Sequence, residues 1–418
     1  MTIRKIMPAD LPSVERGNFI CWECTGSYDS GPPEETARKK DENAAGTRSD
    51  QYWREAWVAV DGDGQTVMSH MRADPYRIFF DGHSVPMAGI GCVWTLPHCR
   101  RRGLIRSMFA EAFKEMKERG QVFSTLFPFS QGYYRRFGYG PCHTYVEWVV
   151  PLKNIMKCDT GGTVETFRPG DDVSPYREIY DSLAPFWNGM ADREDCDWAA
   201  LRNLEPSKRI KYAYLWRDAA GHPGGYLVHG KEQRGTLRLL DCGGTFIARD
   251  AWAVQALLSY AASYADWYDA IKLTLPPETD LRPFLDIPVV RGSTLYDTTT
   301  LSRTLRDSSQ TRIVDLPAAL KLCRTQGSGA LTLHVSDAAC PWNHGTWRIE
   351  WENGSVTSAA PSGGEPDISM DIADCAAALM GTWDTGQFTW NPGITVHNPK
   401  APAGGLFYRK PWQTADFF

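Results

Sequence analysis

The sequence lacks the features that would assign it to a membrane-spanning or a nucleic-acid-binding class. None of its apolar runs approaches the roughly 18 residues that a membrane span needs. Basic residues are not in excess, because 45 Lys and Arg stand against 50 Asp and Glu, for a formal net charge of −5 at pH 7. Without a net positive field, the chain has no general means of holding a phosphate backbone. We therefore expect no membrane span and no nucleic-acid partner.

The cysteines lack the number and spacing of a disulfide framework or a zinc site. There are 11, an odd number scattered over 418 residues. Cys21 and Cys24 form a C-x-x-C pair that fits a redox motif or half of a zinc site, but no second pair or H-x(3–5)-H spacing follows. We interpret them as two thiols on a helix and expect no metal. The first residues also lack the apolar core of a signal peptide, so we expect a cytoplasmic protein with reduced cysteines.

Aromatic side chains are the abundant feature of the composition. The chain contains 16 Trp, 17 Tyr and 17 Phe, which together make 12% of its residues. Its 42% hydrophobic and 23% charged residues are otherwise ordinary for a globular protein. At about 100–200 residues per domain, this length allows two to four domains with cores of their own. The aromatic content predicts thick cores and an aromatic-lined pocket.

The first 150 residues alternate between strand and helix patterns, which predicts an α/β fold. The clearest helix covers residues 104–120 and ends at Gly120. Its apolar positions repeat at helical spacing and define one buried face. These positions are Leu104, Ile105, Met108, Phe109, Ala112, Phe113 and Met116. A strand pattern at 122–127 follows, so that strand, glycine turn, helix and strand together form a βαβ unit.

Two further regions follow. Residues 155–295 repeat the order strands, helix (250–264), strand, but 245–250 stand where the first region has an Arg-x-x-Gly turn. This pattern indicates a degenerate duplication that kept the scaffold and lost the site. The last 120 residues change character again, with a short helix at 317–323, a hairpin at 345–358 and a tail rich in Pro, Gly and aromatic residues. We therefore predict domains at 1–152, 153–298 and 299–418.

A basic glycine turn, Arg100-Arg101-Arg102-Gly103, stands directly before the clearest helix. A helix start leaves backbone N–H groups unpaired and carries a partial positive charge, so it is a natural seat for phosphate. Glycine allows close approach to the backbone, and arginines add charge-assisted hydrogen bonds. The turn is neither a P-loop nor a Rossmann fingerprint, since it lacks the residues that either needs. A solvated basic turn is the plain alternative.

The residues around this turn carry a resemblance to a known family. Val93 with Arg100-x-x-Gly103, between a strand and a helix, resembles the coenzyme A loop of the GNAT N-acetyltransferases, with Ile105 in place of the usual small residue. Residues 90–103 and 126–140 together resemble the Eis ("enhanced intracellular survival") acetyltransferases, and the similarity extends over nearly the whole chain. The resemblance implies an α/β (α+β) chain of tandem GNAT folds with mixed sheets flanked by helices. It also implies a second GNAT domain without the acetyl-CoA motif, a sterol-carrier-like α+β domain at the C-terminus and a hexamer.

The resemblance further implies acetyl-CoA as co-substrate and an amine acceptor, either a polycationic small molecule of the aminoglycoside type or a lysine side chain. The backbones of Val93 and Thr95 would pair with the pantetheine amides, and the basic turn would hold the pyrophosphate. The residues expected to bind acetyl-CoA are Val93, Trp94, Thr95, Arg100, Arg101, Arg102, Gly103, Leu104 and Ser130.

Two groups are expected to carry the proton transfers. The family's Tyr-x-Arg-Phe-Gly-Tyr motif matches residues 134–139, which implies Tyr134 as general acid, with Tyr133 as the alternative in the next register. A phenol with a pKa near 10 is a donor at neutral pH. The family also implies the chain-terminal carboxylate, here that of Phe418, as base. Its ordinary pKa of about 3.5 leaves it ionised, and the aromatic residues near it argue against a frayed tail.

Acceptor recognition is expected from the N-terminal helix and from the tail. Trp22, Glu23 and Asp416 are the candidates for holding a cationic amine by cation–π and carboxylate contacts. His98 adjoins the basic turn, and we interpret it as a surface residue of the loop. The alternative function is lipid or small-molecule binding by the sterol-carrier-like region with a vestigial acetyltransferase site. The intact turn at Arg100–Gly103 argues against that alternative.

Overall fold

The computed structural model describes residues 1–23, 31–43, 46–62, 64, 66–205, 211–287, 289–290, 298–299 and 303–416. Within these residues the chain builds three large mixed sheets with helices packed against them, which confirms the predicted α/β class. The sheets contain seven, eight and five strands. None of the helices in these ranges is long and apolar enough to span a membrane.

The first sheet is formed mainly by the N-terminal region. Its strands from this region are β1 (Thr2–Lys5), β2 (Trp57–Val60), β3 (Val67–Phe80), β4 (His83–Thr95), β5 (Phe123–Leu126) and β6 (Gly140–Pro141). The helices of the region are α1 (Leu11–Trp22), α2 (Pro33–Glu42), α3 (Arg48–Gln51), α4 (Leu104–Glu118) and α5 (Gln131–Arg135). Helix α4 is the predicted helix, and all seven predicted apolar positions on it are buried. It ends before Gly120, whose φ of 70° suits a helix stop.

The middle region builds the second sheet. Its strands are β7 (Thr144–Pro151), β8 (Thr163–Thr166), β9 (Tyr212–Arg217), β10 (Pro223–Arg234), β11 (Leu237–Asp241), β12 (Phe246–Ala248), β13 (Ala270–Leu275) and β16 (Arg303–Asp307), while β14 (Val289–Val290) and β15 (Thr298–Thr299) form a separate pair. The helices described here are α6 (Ser174–Leu183), α7 (Ala199–Arg202) and α8 (Ala251–Ala262). Strands β11 and β13 are parallel neighbours joined through α8, the same βαβ order as β4, α4 and β5.

The third region contributes the remaining strand of the first sheet and a five-stranded sheet of its own. Its strands are β17 (Gln310–Ile313), β18 (Gly329–Ser336), β19 (Gly345–Glu352), β20 (Ser355–Pro361), β21 (Ile368–Asp371) and β22 (Thr395–Val396). Its helices are α9 (Leu316–Leu322), α10 (Ile372–Leu379) and α11 (Thr385–Phe388). The face of the sheet that carries Leu331, Leu333 and Ile349 is fully buried, in one core with Ile78 and Phe80 of the first sheet.

Strands are exchanged between the three regions. Strand β17 lies between β5 and β6 in the first sheet, antiparallel to both, although about 170 residues separate it from β6. Strand β7, which follows β6 along the chain, instead pairs with β13 and β16 in the second sheet. The first domain is therefore completed by a strand from the third region. The domain boundaries expected at 152/153 and 298/299 stay predictions.

Candidate active site

Strands β4 and β5 separate in the middle of the first sheet. They pair in parallel from Met87 to Ile90, and beyond Ile90 no strand of the described chain pairs with this side of β4. On its other side, β4 carries one extra residue between its pairings with Arg72 and His70 of β3. Cys92 lies in this bulge with a φ of 49°. A bulge bends its strand locally. Among the described residues, the side of β4 that faces β5 therefore has no strand partner from Gly91 to Thr95.

Helix α4 begins beside this opening. Gly103, immediately before the helix, has a φ of 77°, a left-handed conformation that favours glycine. The Ser107 N–H donates to the Gly103 carbonyl at 3.0 Å, which leaves the N–H groups of the first helical residues without intrahelical acceptors. The helix start thus presents free donors and a partial positive charge.

The three arginines of the turn are not neutralised by neighbouring acids. No carboxylate in the described ranges forms an ion pair with Arg100, Arg101 or Arg102. Within the described ranges, the one hydrogen bond made by their side chains runs from Arg102 Nη2 to the His98 carbonyl, at 3.3 Å. His98 itself lies in the exposed loop, as expected. Three unpaired guanidinium groups at a helix start are the charge arrangement that a pyrophosphate needs.

These elements enclose a cleft of about 780 Å³. Its wall combines backbone from β4, the basic turn, the first turn of α4 and several aromatic side chains. The lining residues are Cys21, Trp22, Val93, Trp94, Thr95, Cys99, Arg100, Arg101, Arg102, Gly103, Leu104, Ile105, Arg106, Phe129, Tyr133, Arg136 and Phe137. The structure thus brings together every expected acetyl-CoA residue except Ser130, which is exposed at the residue before α5. Ile105, in place of the family's usual small residue, is buried and also lines the cleft.

The two tyrosines of α5 differ in position. Tyr133 is half-buried and lines the cleft, whereas Tyr134 is 4% exposed and is not part of the lining. The Tyr134 ring meets Phe129 and Tyr133 edge-on, with centroids 5.5 and 5.1 Å away. Burial raises the pKa of both phenols, so both stay protonated at neutral pH. Among the described residues, none forms a hydrogen bond to the Tyr134 hydroxyl.

Comparison with known proteins identifies the domains of this chain. Models of the acetyltransferase (GNAT) domain match residues 33–142 and 189–306, and the sterol carrier protein domain matches 316–405. The N-acetyltransferase Eis of Mycobacterium tuberculosis is 27% identical over 327 residues, covering 74% of this chain and 75% of that protein. An uncharacterized N-acetyltransferase of Streptomyces avermitilis is 27% identical over 326 residues, covering 76% and 78%.

Solved structures agree with this assignment at the level of the fold. The structure of Eis1 from Mycobacterium abscessus matches over 100% of both chains, with a TM-score of 0.77 and 18% identity. A GCN5-related N-acetyltransferase from Anabaena variabilis matches over 100% of both chains, with a TM-score of 0.80 and 20% identity. The chain is a tandem-GNAT N-acetyltransferase that is similar to Eis. The predicted tandem GNAT folds with a sterol-carrier-like domain are confirmed, as is an acetyl-CoA-dependent enzyme.

The second GNAT domain of this Eis-like enzyme lacks the cationic helix start. Asp250 caps α8 with its own side chain, which accepts the Ala253 N–H at 2.8 Å. A carboxylate at this position takes up a free donor and repels phosphate. The βαβ unit is therefore retained in the second domain while the charge of its ligand seat is reversed.

The C-terminal tail of the enzyme runs between the domains and is fastened at three points. Lys410 Nζ and Asp81 form a buried ion pair at 2.6 Å. The tail backbone pairs with Asn188 of the second domain on both sides of Trp412. Asp416 accepts hydrogen bonds from Arg193 Nε at 3.0 Å and from the Tyr180 hydroxyl at 3.0 Å. The Asp416 carboxylate is thus already engaged, which favours anchoring of the tail over direct contact with an acceptor.

The remaining site predictions fall at the edges of the described chain. Trp22 is exposed at the end of α1 and lines the cleft. Glu23 follows it, exposed and with a φ of 49°. Cys24, Phe417 and Phe418 lie outside the described residues, and so does the chain-terminal carboxylate. The described ranges contain no group of three or more His, Cys, Asp or Glu side chains that could hold a metal ion.

Several lining residues were not singled out from the sequence. Arg136 and Phe137 belong to the quoted tyrosine motif but were given no role, and Phe129 precedes it. The sequence could have pointed to these residues, because they lie within the segment 126–140 that resembles the Eis acetyltransferases. The bulge at Cys92 had no signal, because an extra residue is visible only once the pairing of β3 with β4 is known.

Proposed function

We propose that this enzyme transfers the acetyl group of acetyl-CoA to a primary amine of a polycationic small molecule, such as an aminoglycoside, or of a lysine side chain, by direct attack. The observation that supports it most is the cleft between β4 and β5, which ends at a helix start with three arginines free of ion pairs. The same unpaired arginines argue against a vestigial site beside a lipid-binding domain. A site that holds no anion gains nothing from three repelling cations.

The co-substrate would lie along β4. Arg100, Arg101 and Arg102, with the N–H groups at Gly103 and Leu104, would hold the pyrophosphate. The backbones of Val93 and Thr95 would pair with the pantetheine amides in place of the missing strand. Trp94 would contribute chiefly backbone, because its indole stacks on His70 at 5.5 Å and donates to Asn18 at 2.7 Å. Ser130 would approach the same ligand from the start of α5.

Acetyl transfer requires one substitution at the thioester carbonyl carbon and two proton transfers. The amine nitrogen bonds to the thioester carbonyl carbon, and the C–S bond breaks. Tyr134 would donate its phenolic proton to the departing thiolate, and the Phe418 carboxylate would accept the proton that the amine loses. Burial keeps the Tyr134 pKa above its ordinary value, so the proton donor is fully protonated at neutral pH. Tyr133 is the alternative donor because it reaches the cleft surface.

Acceptor recognition would involve the end of α1. The Trp22 indole offers a cation–π surface at the cleft, and Glu23 adds a carboxylate beside it. Asp416, bound to Arg193 and Tyr180, would act by fixing the tail that carries the terminal carboxylate.

A thiol-release screen tests this function. Purified full-length enzyme is incubated with acetyl-CoA and, in separate wells, with aminoglycosides, linear polyamines, lysine peptides and sugars that carry a single amine. We expect release with polycationic amines well above the rate with acetyl-CoA alone. If no amine raises that rate although acetyl-CoA binds saturably, the proposed function is wrong. If only lysine peptides react, the acceptor is a protein side chain and the small-molecule proposal fails.

A further inference from the structure

Arg135, the residue after Tyr134, joins the tyrosine helix to the sterol-carrier-like domain. Its guanidinium donates to Asp371 Oδ2 at 2.7 Å and to both carboxylate oxygens of Asp374, at 2.9 and 2.8 Å. Helix α5 has only five residues, too few to hold its position by its own hydrogen bonds. Its orientation therefore depends on contacts with neighbouring elements.

The acidic partners of Arg135 are rigidly held. The Asp374 side chain is completely buried in α10, and its Oδ1 also accepts from Asn391 Nδ2 at 3.1 Å. Asp371 caps the same helix by accepting the Asp374 N–H at 2.8 Å. Because α10 packs within the core of the third domain, the two carboxylates form a fixed receptor for a guanidinium.

The chain beyond Arg135 is attached to the third region at successive residues. Arg312 of β17 donates to the Phe137 carbonyl and pairs with Asp337 at 2.6 Å, with both side chains fully buried. Gly140 lies so close to α10 that a Cβ there would fall 1.9 Å from the Ala373 carbonyl oxygen. The segment that carries both candidate proton donors is thus tied to the third region at Arg135, Phe137 and Gly140.

We propose that Arg135 is a positioning residue, which uses Asp371 and Asp374 of the sterol-carrier-like domain to fix α5 and with it the tyrosine that protonates the leaving thiolate. This inference rests on the proposed acetyl transfer. It gives the third domain a role in catalysis that is independent of any lipid, since its carboxylates hold the donor helix at the cleft. Both Tyr133 and Tyr134 lie on the turn that is held, so the inference does not depend on which of them donates.

The test compares Arg135→Gln with Arg135→Lys and with Lys117→Met. Lys117 makes a matched interdomain ion pair with Asp315, at 2.8 Å and with a side chain of similar exposure (35% against 39%), but it lies at the far end of α4. We expect Arg135→Gln to lower kcat about 100-fold per folded molecule, since a misplacement near 1 Å has that cost, with the KM for acetyl-CoA changed less than about twofold. Arg135→Lys should recover part of kcat, and Lys117→Met should leave it within about twofold of the wild-type value.

Hydrogen exchange of residues 131–139 supplies a readout that does not require turnover. Faster exchange in Arg135→Gln than in the wild type and Lys117→Met supports the positioning role, and unchanged exchange overturns it. An unaltered kcat per folded molecule, with only the melting temperature lowered, also overturns it. If the wild type acetylates no amine, the proposed function fails while the exchange result still decides whether Arg135 holds α5. If Arg135→Gln does not fold, the same two criteria, kcat per folded molecule and hydrogen exchange of residues 131–139, are applied to Arg135→Lys.

Discussion

At the scale of single residues, burial decides which protonation states the enzyme can use. Tyr134 is packed among aromatic rings, and burial raises its pKa, so its phenol stays protonated at neutral pH, as the proposed donor must be. His143 is equally buried, yet its Nδ1 has no hydrogen-bond partner among the described residues, and burial lowers its pKa to about 4. Burial therefore keeps the Tyr134 phenol protonated at neutral pH. Through His143, burial also makes the stability of the fold depend on pH.

Replacing the proposed donor tests its role directly. We expect Tyr134→Phe to lower kcat by about 100-fold or more, as loss of a general acid does, without changing the KM for acetyl-CoA. Tyr133→Phe should have a small effect on kcat. Steady-state kinetics of both variants at matched folded fractions provide the measurement. A strong loss in Tyr133→Phe with an unaffected Tyr134→Phe would transfer the donor role to the residue that lines the cleft.

His143 gives a prediction about stability. Its pKa is about 4 in the folded state and near 6.5 when unfolded, so between pH 7 and 5 the unfolded chain takes up a proton that the folded chain does not. Stability is therefore present above pH 6.5 and falls as the solution is acidified, by about 2 kcal/mol from this residue at pH 5. Urea unfolding at both pH values should show a smaller drop for His143→Gln than for the wild type. The exposed His222→Gln serves as control, and an equal drop in all three proteins would contradict the account.

At the scale of elements, the start of α4 is the proposed seat of acetyl-CoA, and its charge differs between the two GNAT domains. Arg100→Gln should raise the KM for acetyl-CoA roughly 10- to 150-fold, because one charge-assisted hydrogen bond to phosphate contributes roughly 1.5–3 kcal/mol. The value of kcat should change little, since the arginine does not act on the reacting atoms. Lys114→Gln, on the exposed side of the same helix, is the control. An unchanged KM in Arg100→Gln would remove the turn from the binding site.

The elements also show which parts of the fold can be predicted from the sequence. Helix α4, its buried face and the basic turn could be predicted because periodicity and turn chemistry are local properties of the chain. The insertion of β17 between β5 and β6 could not, since its partners lie about 170–190 residues away and a four-residue strand carries no signal for them. The same reason hides the ion pair of Arg193 with Asp416, a residue for which the sequence predicts a role in acceptor binding.

At the scale of the whole molecule, the three regions of the chain are attached to one another around the first GNAT domain. The third region supplies a strand of its sheet and the receptor for Arg135, and the tail is fastened to both of the other regions. The expected hexamer stays a prediction, which sedimentation of the purified enzyme can measure.

Extending the chain beyond Phe418 tests the role proposed for its carboxylate. We expect a short Gly-Ser extension, or deletion of Phe418, to reduce amine acetylation about 100-fold or more by moving the base, with acetyl-CoA affinity unchanged. The same extension placed before Met1 is the matched control. Turnover by thiol release and affinity by calorimetry provide the two readouts. Full activity of the C-terminally extended enzyme would show that another group accepts the proton.

Acetyl transfer to an amine nitrogen is the central claim, and mass spectrometry of the acceptor tests it most directly. Wild-type enzyme, acetyl-CoA and a polycationic amine are incubated together, and the site of any added acetyl group is located by fragmentation. The account predicts acetylation at a primary amine that is strongly reduced in Tyr134→Phe and in the C-terminally extended enzyme. Unmodified amines throughout the panel, from an enzyme that still binds acetyl-CoA, would contradict it.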